Sequence, residues 1–453
     1  MNEKEKKYLR WYQKVGYGFG DFGSNCFYTF VTSFIMIYLT NTVGLNSAVI
    51  GTLILVSKCF DGVTDVIFGN IIDKTHHKWG KARPWILFST IPIAICEVLM
   101  YTTPTNTSKA FQYAYFFVIY TIANSIFYTV NNIAYTTFMS LITRNEGERV
   151  QITSFRYMFA MAGSIIITAA SMGMVDAFGG GTAGWRMTAI VFSLIQVLSS
   201  LIVFFCAREI QEEQELSDLA KKTQKVDFFS TLKIIMTNKY YLLQLLNVIL
   251  GYIVQGLMGA LGVYYCTYVL GNAALLGTIS MAQLAMVIGL IVTPAIVKKM
   301  GMHRALYVSL FISGIFSVIA AVAGFTKSVP LLILAVALKY LTFAPSSGCG
   351  NPFIAEIANN IYLKRGIHAE GAIFSCSSVG IKIGGGLASA IAGWILVLVR
   401  FDAGAEIQTG FTITGLQIGY LLVPAVLSLL MAFVVKCNTV IQDNQKMLAE
   451  KEK

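Results

Sequence analysis

REIQEEQELSDLAKKTQKVD, at residues 208–227, is the longest polar stretch in this chain of 453 residues. Apolar stretches of the length that crosses a bilayer, about 20 residues, lie on both sides of it. Six precede it, at 15–40, 47–72, 85–103, 110–142, 153–176 and 183–206, and six follow it, at 239–270, 274–297, 304–325, 329–353, 372–399 and 412–435. The sequence therefore predicts an all-α membrane protein with twelve transmembrane helices in two six-helix halves.

Composition excludes most other classes of protein. Hydrophobic residues make up 56% of the chain and charged residues 13%, whereas charged residues are about 25% of soluble domains. The net charge of +11 collects at the N-terminus and in short loops, which indicates membrane topology rather than nucleic-acid binding. No nucleophile with a base, and no cluster of metal ligands, appears at catalytic spacing, so we expect no catalytic residues and no enzyme activity.

Basic residues predict the orientation and the domains. The odd-numbered loops contain only Lys109, Lys327 and Arg400, and the side of a membrane that is rich in Lys and Arg is cytoplasmic. We therefore expect both termini in the cytoplasm, an N-terminal half at 1–206, a cytoplasmic central loop at 207–227 and a C-terminal half at 228–453. Two such halves are typical of transporters with a substrate site at the bilayer midplane. A channel or a membrane-embedded enzyme is the alternative.

Ionisable residues inside the second span indicate a cation site. Lys58, Asp61 and Asp65 stand at positions i, i+3 and i+7, so they share one helical face. Two carboxylates one turn apart repel unless a cation or proton lies between them, and Thr64 and Thr129 offer neutral oxygens to an ion such as Na⁺. In the alternative interpretation, Lys58 neutralises one acid in an ion pair that holds helices together.

Three more polar positions within spans indicate substrate binding. Lys382 lies about ten residues inside its span and among glycines that permit close helix approach, so we expect it to face a cavity. Arg156 is nearer the start of its span, where snorkelling to the interface is an alternative. Tyr128 borders a polar run in mid-span and is a candidate for stacking on a sugar.

The loop after the second span suggests a cytoplasmic latch. It reads GNIIDKTHHKWGKARPW, and Asp73, Lys74 and Arg83 could form salt bridges that break when the two halves move. Ordinary positive-inside charge is the alternative.

Four segments along the whole chain resemble the glycoside/pentoside/hexuronide cation symporter family, the melibiose-permease branch of the major facilitator superfamily. These segments are YGFGDFGSN at 17–25, FDGVTDVIFGNIIDKTHHKWGKARPW at 60–85, YTVNNIAYTTFMSLITRNEGERVQITSFRYMFA at 128–160 and HAEGAIFSCSSVGIKIGGG at 368–386. The resemblance implies the major facilitator fold in a bacterial-type inner (plasma) membrane, and uptake of a sugar with Na⁺, H⁺ or Li⁺ by alternating access.

The resemblance also implies roles for particular residues. Asp61 and Asp65 match the family's cation-binding aspartates and Thr129 its threonine, while Thr64 replaces an asparagine. Arg156 and Lys382 match the arginine of the fifth helix and the lysine of the eleventh.

The sugar site departs from the galactoside pattern of that branch. Asn25 and Asn132 stand where aspartates bind galactosides, and Thr136 replaces a tryptophan. Removing these two acids favours a hexuronide, although neutral pentosides also suit amides.

These observations predict a cation-coupled sugar symporter. We expect the sugar to contact Asn25, Tyr128, Asn132, Arg156 and Lys382, and Na⁺ or H⁺ to bind at Asp61 and Asp65. The expected partners are a sugar or glycoside, a monovalent cation and the lipid bilayer. We expect no organic cofactor, no nucleic acid and function as a monomer. An uncoupled facilitator or exporter, or a sensor that binds sugar without moving it, are the alternatives.

Overall fold

The structure, a computed structural model, describes residues 7–75, 77–143, 145–210, 235–366, 370–405 and 407–451. Within these ranges every regular element is helical and no strand occurs. Eleven helices are long and apolar enough to cross a membrane. The helix Ser47–Asp73, with 27 residues, is also of spanning length, because 27 residues rise about 40 Å. The predicted all-α membrane fold is confirmed.

Six helices make up the first half of the chain. They are α1 (Trp11–Thr42), α2 (Ser47–Asp73), α3 (Arg83–Met100), α4 (Lys109–Ile142), α5 (Glu146–Ala177) and α6 (Gly181–Cys206). Side-chain caps explain two of the starts: Ser108 accepts a hydrogen bond from the N–H of Phe111, and Asn145 from that of Glu148. In α4 the α-helical hydrogen bonding gives way to a π-helical segment, Ile122–Tyr128.

Seven helices follow in the described residues of the second half. They are α7 (Lys239–Val269), α8 (Leu275–Met300), α9 (Met302–Phe325), α10 (Val329–Arg365), α11 (Glu370–Leu398), α12 (410–437) and α13 (Val440–Lys451). A single residue, Gly301, joins α8 to α9 with φ of +79°, a conformation that glycine adopts without steric cost. A turn at Cys349, shortly after Pro345, interrupts α10.

The chain divides into two compact units. The first contains residues 1–225 and 403–406, and the second contains residues 226–402 and 407–453. In the first unit α1 packs against α5 and α6, α2 against α4, and α3 against α4 and α6. In the second unit α7 packs against α11 and α12, α8 against α10, and α9 against α10 and α12. The same pairing pattern therefore occurs twice, as in transporters built from two structural repeats.

Aromatic side chains form much of the interior of the first unit. Phe30 stacks on Tyr101 with ring centroids 4.3 Å apart, and Tyr101 in turn stacks on Trp185 at 5.7 Å. The Tyr101 hydroxyl donates to the Phe30 carbonyl oxygen at 2.9 Å, so the ring is buried without an unsatisfied polar group. This cluster links α1, the end of α3 and α6.

Candidate cation and sugar site

Asp61 is a buried carboxylate in the middle of α2. It is 3% exposed, and its Oδ2 lies 3.3 Å from the Lys58 ammonium. Leaving one member of a buried ion pair without its partner costs about 3–5 kcal/mol, so Lys58 compensates the charge of Asp61. Asp65 follows one turn later and is half-buried. The ammonium of Lys58 thus lies beside the carboxylate at which the sequence predicts a cation.

Ser125 is a partner of Asp61 that sequence reasoning missed. Its hydroxyl donates to Asp61 Oδ1 and lies 3.1 Å from the Ser57 carbonyl oxygen. Ser125 belongs to the π-helical segment of α4, and such segments are frequent at functional sites. The pair Asn124 and Ser125 in an otherwise apolar stretch was the available signal.

The hydroxyls of the two predicted threonine ligands donate hydrogen bonds to backbone carbonyl oxygens. Thr64 donates to the carbonyl oxygens of Phe60 and Asp61 at 3.2 and 3.1 Å. Thr129 donates to the carbonyl oxygen of Asn124 at 3.2 Å. These bonds leave lone pairs on both hydroxyl oxygens, and their role as cation ligands stays a prediction.

Tyr17 and Tyr135 join α1 to α4 beside the predicted sugar site. Their rings stack at 4.5 Å. The ring of Tyr135 lies against Gly20, where a Cβ atom would come within 2.4 Å of it. Glycine at position 20 is therefore what allows α4 to approach α1 this closely.

Asp21 and Arg156 form a partly buried ion pair that was not predicted. Arg156 Nε lies 2.6 Å from Asp21 Oδ2 and Nη2 lies 3.4 Å from Oδ1. The Tyr135 hydroxyl is 3.1 Å from Asp21 Oδ2, and the guanidinium lies 4.6 Å from the centre of the Tyr135 ring. Arg156 is thus held within the first unit by a carboxylate and an aromatic face, rather than reaching to an interface.

The remaining predicted sugar contacts of the first unit lie nearby along α1 and α4. Asn25 donates to the carbonyl oxygen of Asp21 at 2.8 Å. Tyr128 packs against the rings of Phe27 and Tyr28, with centroids 5.4 and 6.0 Å away. Asn132 is exposed one turn beyond Tyr128, so its amide is available for hydrogen bonding.

Lys382 lies in α11 of the second unit and is half-buried. The glycines beside it pack as the sequence predicts: a Cβ at Gly384 would come within 2.7 Å of both Ile249 and Tyr252 of α7. A Cβ at Gly256 of α7 would likewise approach Ala388 of α11 to 2.4 Å. Small residues therefore bring α7 and α11 together around the level of Lys382.

The predicted latch residues have different environments. Arg83 is buried, donates to the Phe204 carbonyl oxygen at 2.5 Å and lies 4.4 Å from the centre of the Phe204 ring. Lys74 is exposed, and within the described ranges it makes no ion pair. The side chain of Asp73 lies outside the described residues.

Glu209, the second residue of the polar central stretch, contacts the loop in which the latch is predicted. Its carboxylate accepts the backbone N–H groups of Lys81, Ala82 and Arg83 at 2.6, 2.8 and 2.9 Å. An anion at the N-terminus of a helix satisfies free N–H groups and interacts favourably with the helix dipole. Glu209 therefore fixes the start of α3 to the end of α6.

A second carboxylate, Glu148, fastens the segment before α1. It accepts the N–H groups of Tyr8 and Leu9 at 3.1 and 3.2 Å and the Thr143 hydroxyl at 2.7 Å, and it pairs with Lys14 at 3.0 Å. Burial opposes ionisation of this carboxyl, but the hydrogen bonds outweigh burial and hold its pKa below its ordinary value.

Two other ionisable side chains are buried within spans. Glu97 of α3 is 0% exposed, and neither of its carboxyl oxygens has a hydrogen-bond partner among the described residues. Lys339 of α10 is 7% exposed, and its ammonium lies 3.1 Å from Met258 Sδ.

Known proteins match this chain over nearly its full length. The isoprimeverose transporter of Lactiplantibacillus pentosus is 27% identical over 99% of this chain and 92% of its own length. The inner membrane symporter YicJ of Escherichia coli (strain K12) is 26% identical over 94% of this chain and 90% of its own length. The crystal structure of the nucleoside transporter NupG (D323A mutant) superposes with a TM-score of 0.68, at 15% identity over 94% of this chain and 100% of that chain.

These findings define the class of the protein as a multi-pass membrane transporter with the major facilitator fold. The family model described as "MFS/sugar transport protein" matches residues 16–437. The chain belongs to this MFS/sugar transport family, which is a family of transporters and not of enzymes.

Proposed function

We propose that this protein is a secondary active symporter that imports a glycoside, pentoside or hexuronide together with Na⁺ or H⁺ by alternating access. Membership of the MFS/sugar transport family supports sugar transport. Two full-length relatives, one named an isoprimeverose transporter and one a symporter, support a sugar cargo and a coupled ion. The observation that carries the proposal is the buried carboxylate of Asp61, in the middle of α2 and one turn before Asp65.

In this proposal the coupling ion competes with Lys58 for Asp61. The ammonium lies 3.3 Å from the carboxylate, so Na⁺ binding or protonation at Asp61 weakens that ion pair. Asp65, Thr64 and Thr129 supply further oxygens within about one helical turn of the site. A bound ion thereby exchanges one charge partner of Asp61 for another instead of leaving a buried carboxylate unpaired.

Helix α4 offers a physical connection between ion and sugar. Ser125 donates to Asp61, and Tyr135 lies within hydrogen-bonding distance of Asp21, the partner of Arg156. Ten residues separate these positions, which is about 15 Å along a helix. A shift of α4 on ion binding would therefore move both ends. If the ion raises the affinity for sugar, the sugar must raise the affinity for the ion by the same factor.

The sugar in this proposal is bound by Asn25, Tyr128, Asn132 and Arg156 of the first unit and by Lys382 of the second. Both termini are cytoplasmic, the protein acts as a monomer in a bacterial-type inner membrane, and Asp73, Lys74 and Arg83 belong to a cytoplasmic latch. The concentration of basic residues in the even-numbered loops supports this orientation.

Uptake into proteoliposomes tests the proposed function. Isoprimeverose and a neutral glucoside would be offered under an inward Na⁺ gradient at constant pH, under an inward H⁺ gradient without Na⁺, and with neither gradient. We expect one of the two gradients to drive accumulation above equilibrium. Asp61→Asn should abolish that accumulation, because the amide cannot hold the ion.

Asp176→Asn is the matched control, since Asp176 is an exposed aspartate near the end of α5 and its loss should leave uptake unchanged. Sugar equilibration that depends on neither gradient, and that persists in Asp61→Asn, would contradict symport and favour a facilitator. Saturable sugar binding without any uptake would instead favour a sensor.

A further inference from the structure

Asp21 lies on one stripe of α1 with two residues of the sugar-site region. Tyr17, Asp21 and Asn25 are spaced four residues apart, which places them on the same helical face. Asn25 binds the carbonyl oxygen of Asp21, and the ring of Tyr17 stacks on that of Tyr135. Among the described residues of this stripe, Asp21 is thus the one with a carboxylate. It lies beside Arg156, which is proposed to bind the sugar.

Both oxygens of Asp21 engage Arg156. The distances are 2.6 Å from Nε to Oδ2 and 3.4 Å from Nη2 to Oδ1, so the carboxylate covers one edge of the guanidinium. The two side chains are 18% and 21% exposed, and partial burial strengthens their attraction relative to a surface pair. Tyr135 contacts both members of the ion pair: its hydroxyl lies near Asp21 and its ring lies under the guanidinium of Arg156.

This arrangement decides what Arg156 can bind. An isolated arginine in a cavity attracts a carboxylate or sulfonate, with which it forms paired hydrogen bonds. Here the charge of Arg156 is balanced by Asp21, and an anionic group that reached the guanidinium would also meet the aspartate. Sugar hydroxyls suit the pair better, because a hydroxyl can accept from the guanidinium and donate to the carboxylate.

We infer that Asp21 is a specificity-determining residue that restricts this transporter to uncharged glycosides and excludes sugars with an anionic group at the Arg156 position. The inference rests on the proposed function and adds the charge class of the substrate. Asp21 acts in two ways: it positions the guanidinium for hydroxyl groups, and it repels anions. The amides of Asn25 and Asn132 fit the same substrate class, since they bind hydroxyls without adding charge.

Uptake of a matched pair of sugars tests this inference. Methyl glucoside and methyl glucuronide differ only in a neutral or anionic group at one carbon. We would measure their initial rates of uptake into proteoliposomes under the gradient that drives transport. Wild-type protein should prefer the glucoside by about tenfold or more, because juxtaposed like charges cost several kcal/mol. In Asp21→Asn the ratio of the two rates should fall by about tenfold, because Arg156 gains an uncompensated charge.

Asp21→Glu is the conservative variant and should keep the preference for the neutral sugar. Tyr135→Phe keeps the ring under Arg156 but removes the hydroxyl beside Asp21, so it should shift the ratio in the same direction by a smaller factor. This variant provides a second reading if Asp21→Asn is inactive.

Three outcomes would overturn the inference. Wild-type protein could take up the glucuronide as fast as the glucoside, or coupled uptake could continue in Asp21→Asn with an unchanged ratio; either result would leave symport intact. Absence of uptake of both sugars, and of isoprimeverose, under every gradient would instead remove the proposed function, and this inference with it.

Discussion

The hydroxyl of Tyr17 donates to the carbonyl oxygen of Tyr135, and the hydroxyl of Tyr135 lies 2.5 Å from the carbonyl oxygen of Tyr17. Each tyrosine thus binds the backbone at the position of the other, with the two rings stacked between them. Because both contacts are buried, the pair fixes the register of α1 against α4. That register sets the position of Asp21, one turn along α1, relative to the Tyr135 hydroxyl, which lies 3.1 Å from its Oδ2.

Loss of one of these hydroxyls should destabilise the protein. In Tyr17→Phe the buried hydrogen bond to the carbonyl oxygen of Tyr135 is lost, and one such hydrogen bond contributes about 0.5–1.5 kcal/mol. We expect a decrease of that size in the free energy of unfolding, measured by denaturant titration in detergent micelles. Tyr12→Phe is the control, since Tyr12 is 45% exposed. Equal stability of the two variants would contradict the structural role of the Tyr17 hydroxyl.

Gly80→Ala should disturb the connection between α3 and α6. Gly80 has φ of +111°, which an L side chain rarely adopts, and a Cβ there would come within 2.4 Å of the Glu209 carboxylate. The substitution must displace the anion that binds the first N–H groups of α3. We expect a loss of about 1–3 kcal/mol of stability and a lower thermal midpoint.

Gly179→Ala separates the two causes of that loss. Gly179 also has a positive φ, but its Cβ would meet nothing within 4 Å. It should therefore report the backbone strain alone, and a thermal midpoint as low as that of Gly80→Ala would exclude a contribution from Glu209.

Much of the fold could be predicted because a bilayer imposes strict rules. Every backbone polar group within the membrane must be bonded internally, so long apolar runs predict helices, and most observed helix ends lie within a few residues of the predicted ones. The stripe of Lys58, Asp61 and Asp65 could be predicted for the same reason, since helical spacing fixes which residues share a face.

The partners of these charges could not be predicted from spacing within one helix. Ser125 reaches Asp61 because α4 adopts a π-helical segment there, which changes the face that each later residue presents. Asp21 meets Arg156 because α1 packs closely against α5, where a Cβ at Gly18 would come within 2.7 Å of Phe159. Both contacts depend on how different helices pack, and that information lies in tertiary structure.

Removal of the Lys58 charge should strengthen binding of the coupling ion. In Lys58→Gln the ammonium no longer competes for Asp61, so the ion concentration that gives half-maximal uptake should fall. A competition worth about 1.4 kcal/mol corresponds to a tenfold decrease. Lys58→Arg keeps the charge and should change this concentration little. If Lys58 only holds helices together, Lys58→Gln should lower the thermal midpoint while the half-maximal ion concentration stays at the wild-type value.

Glu148 should make stability depend on pH in a defined direction. Its pKa in the folded protein lies below the ordinary value, which is about 4.3 in unfolded chains. Such a group adds its full stabilisation above the unfolded pKa and loses it as pH falls through the folded pKa. Glu148→Gln should therefore be less stable than the wild type by about 2 kcal/mol at pH 7, and the difference should shrink as the pH falls below about 4. Unfolding titrations of both proteins from pH 8 to the lowest tolerated pH would show this convergence, with the exposed Glu450→Gln as a control that follows the wild type throughout. If the stability difference between the two proteins stays constant across the whole pH range, the carboxylate contributes by shape alone. Its charge then does not hold the segment before α1 in place.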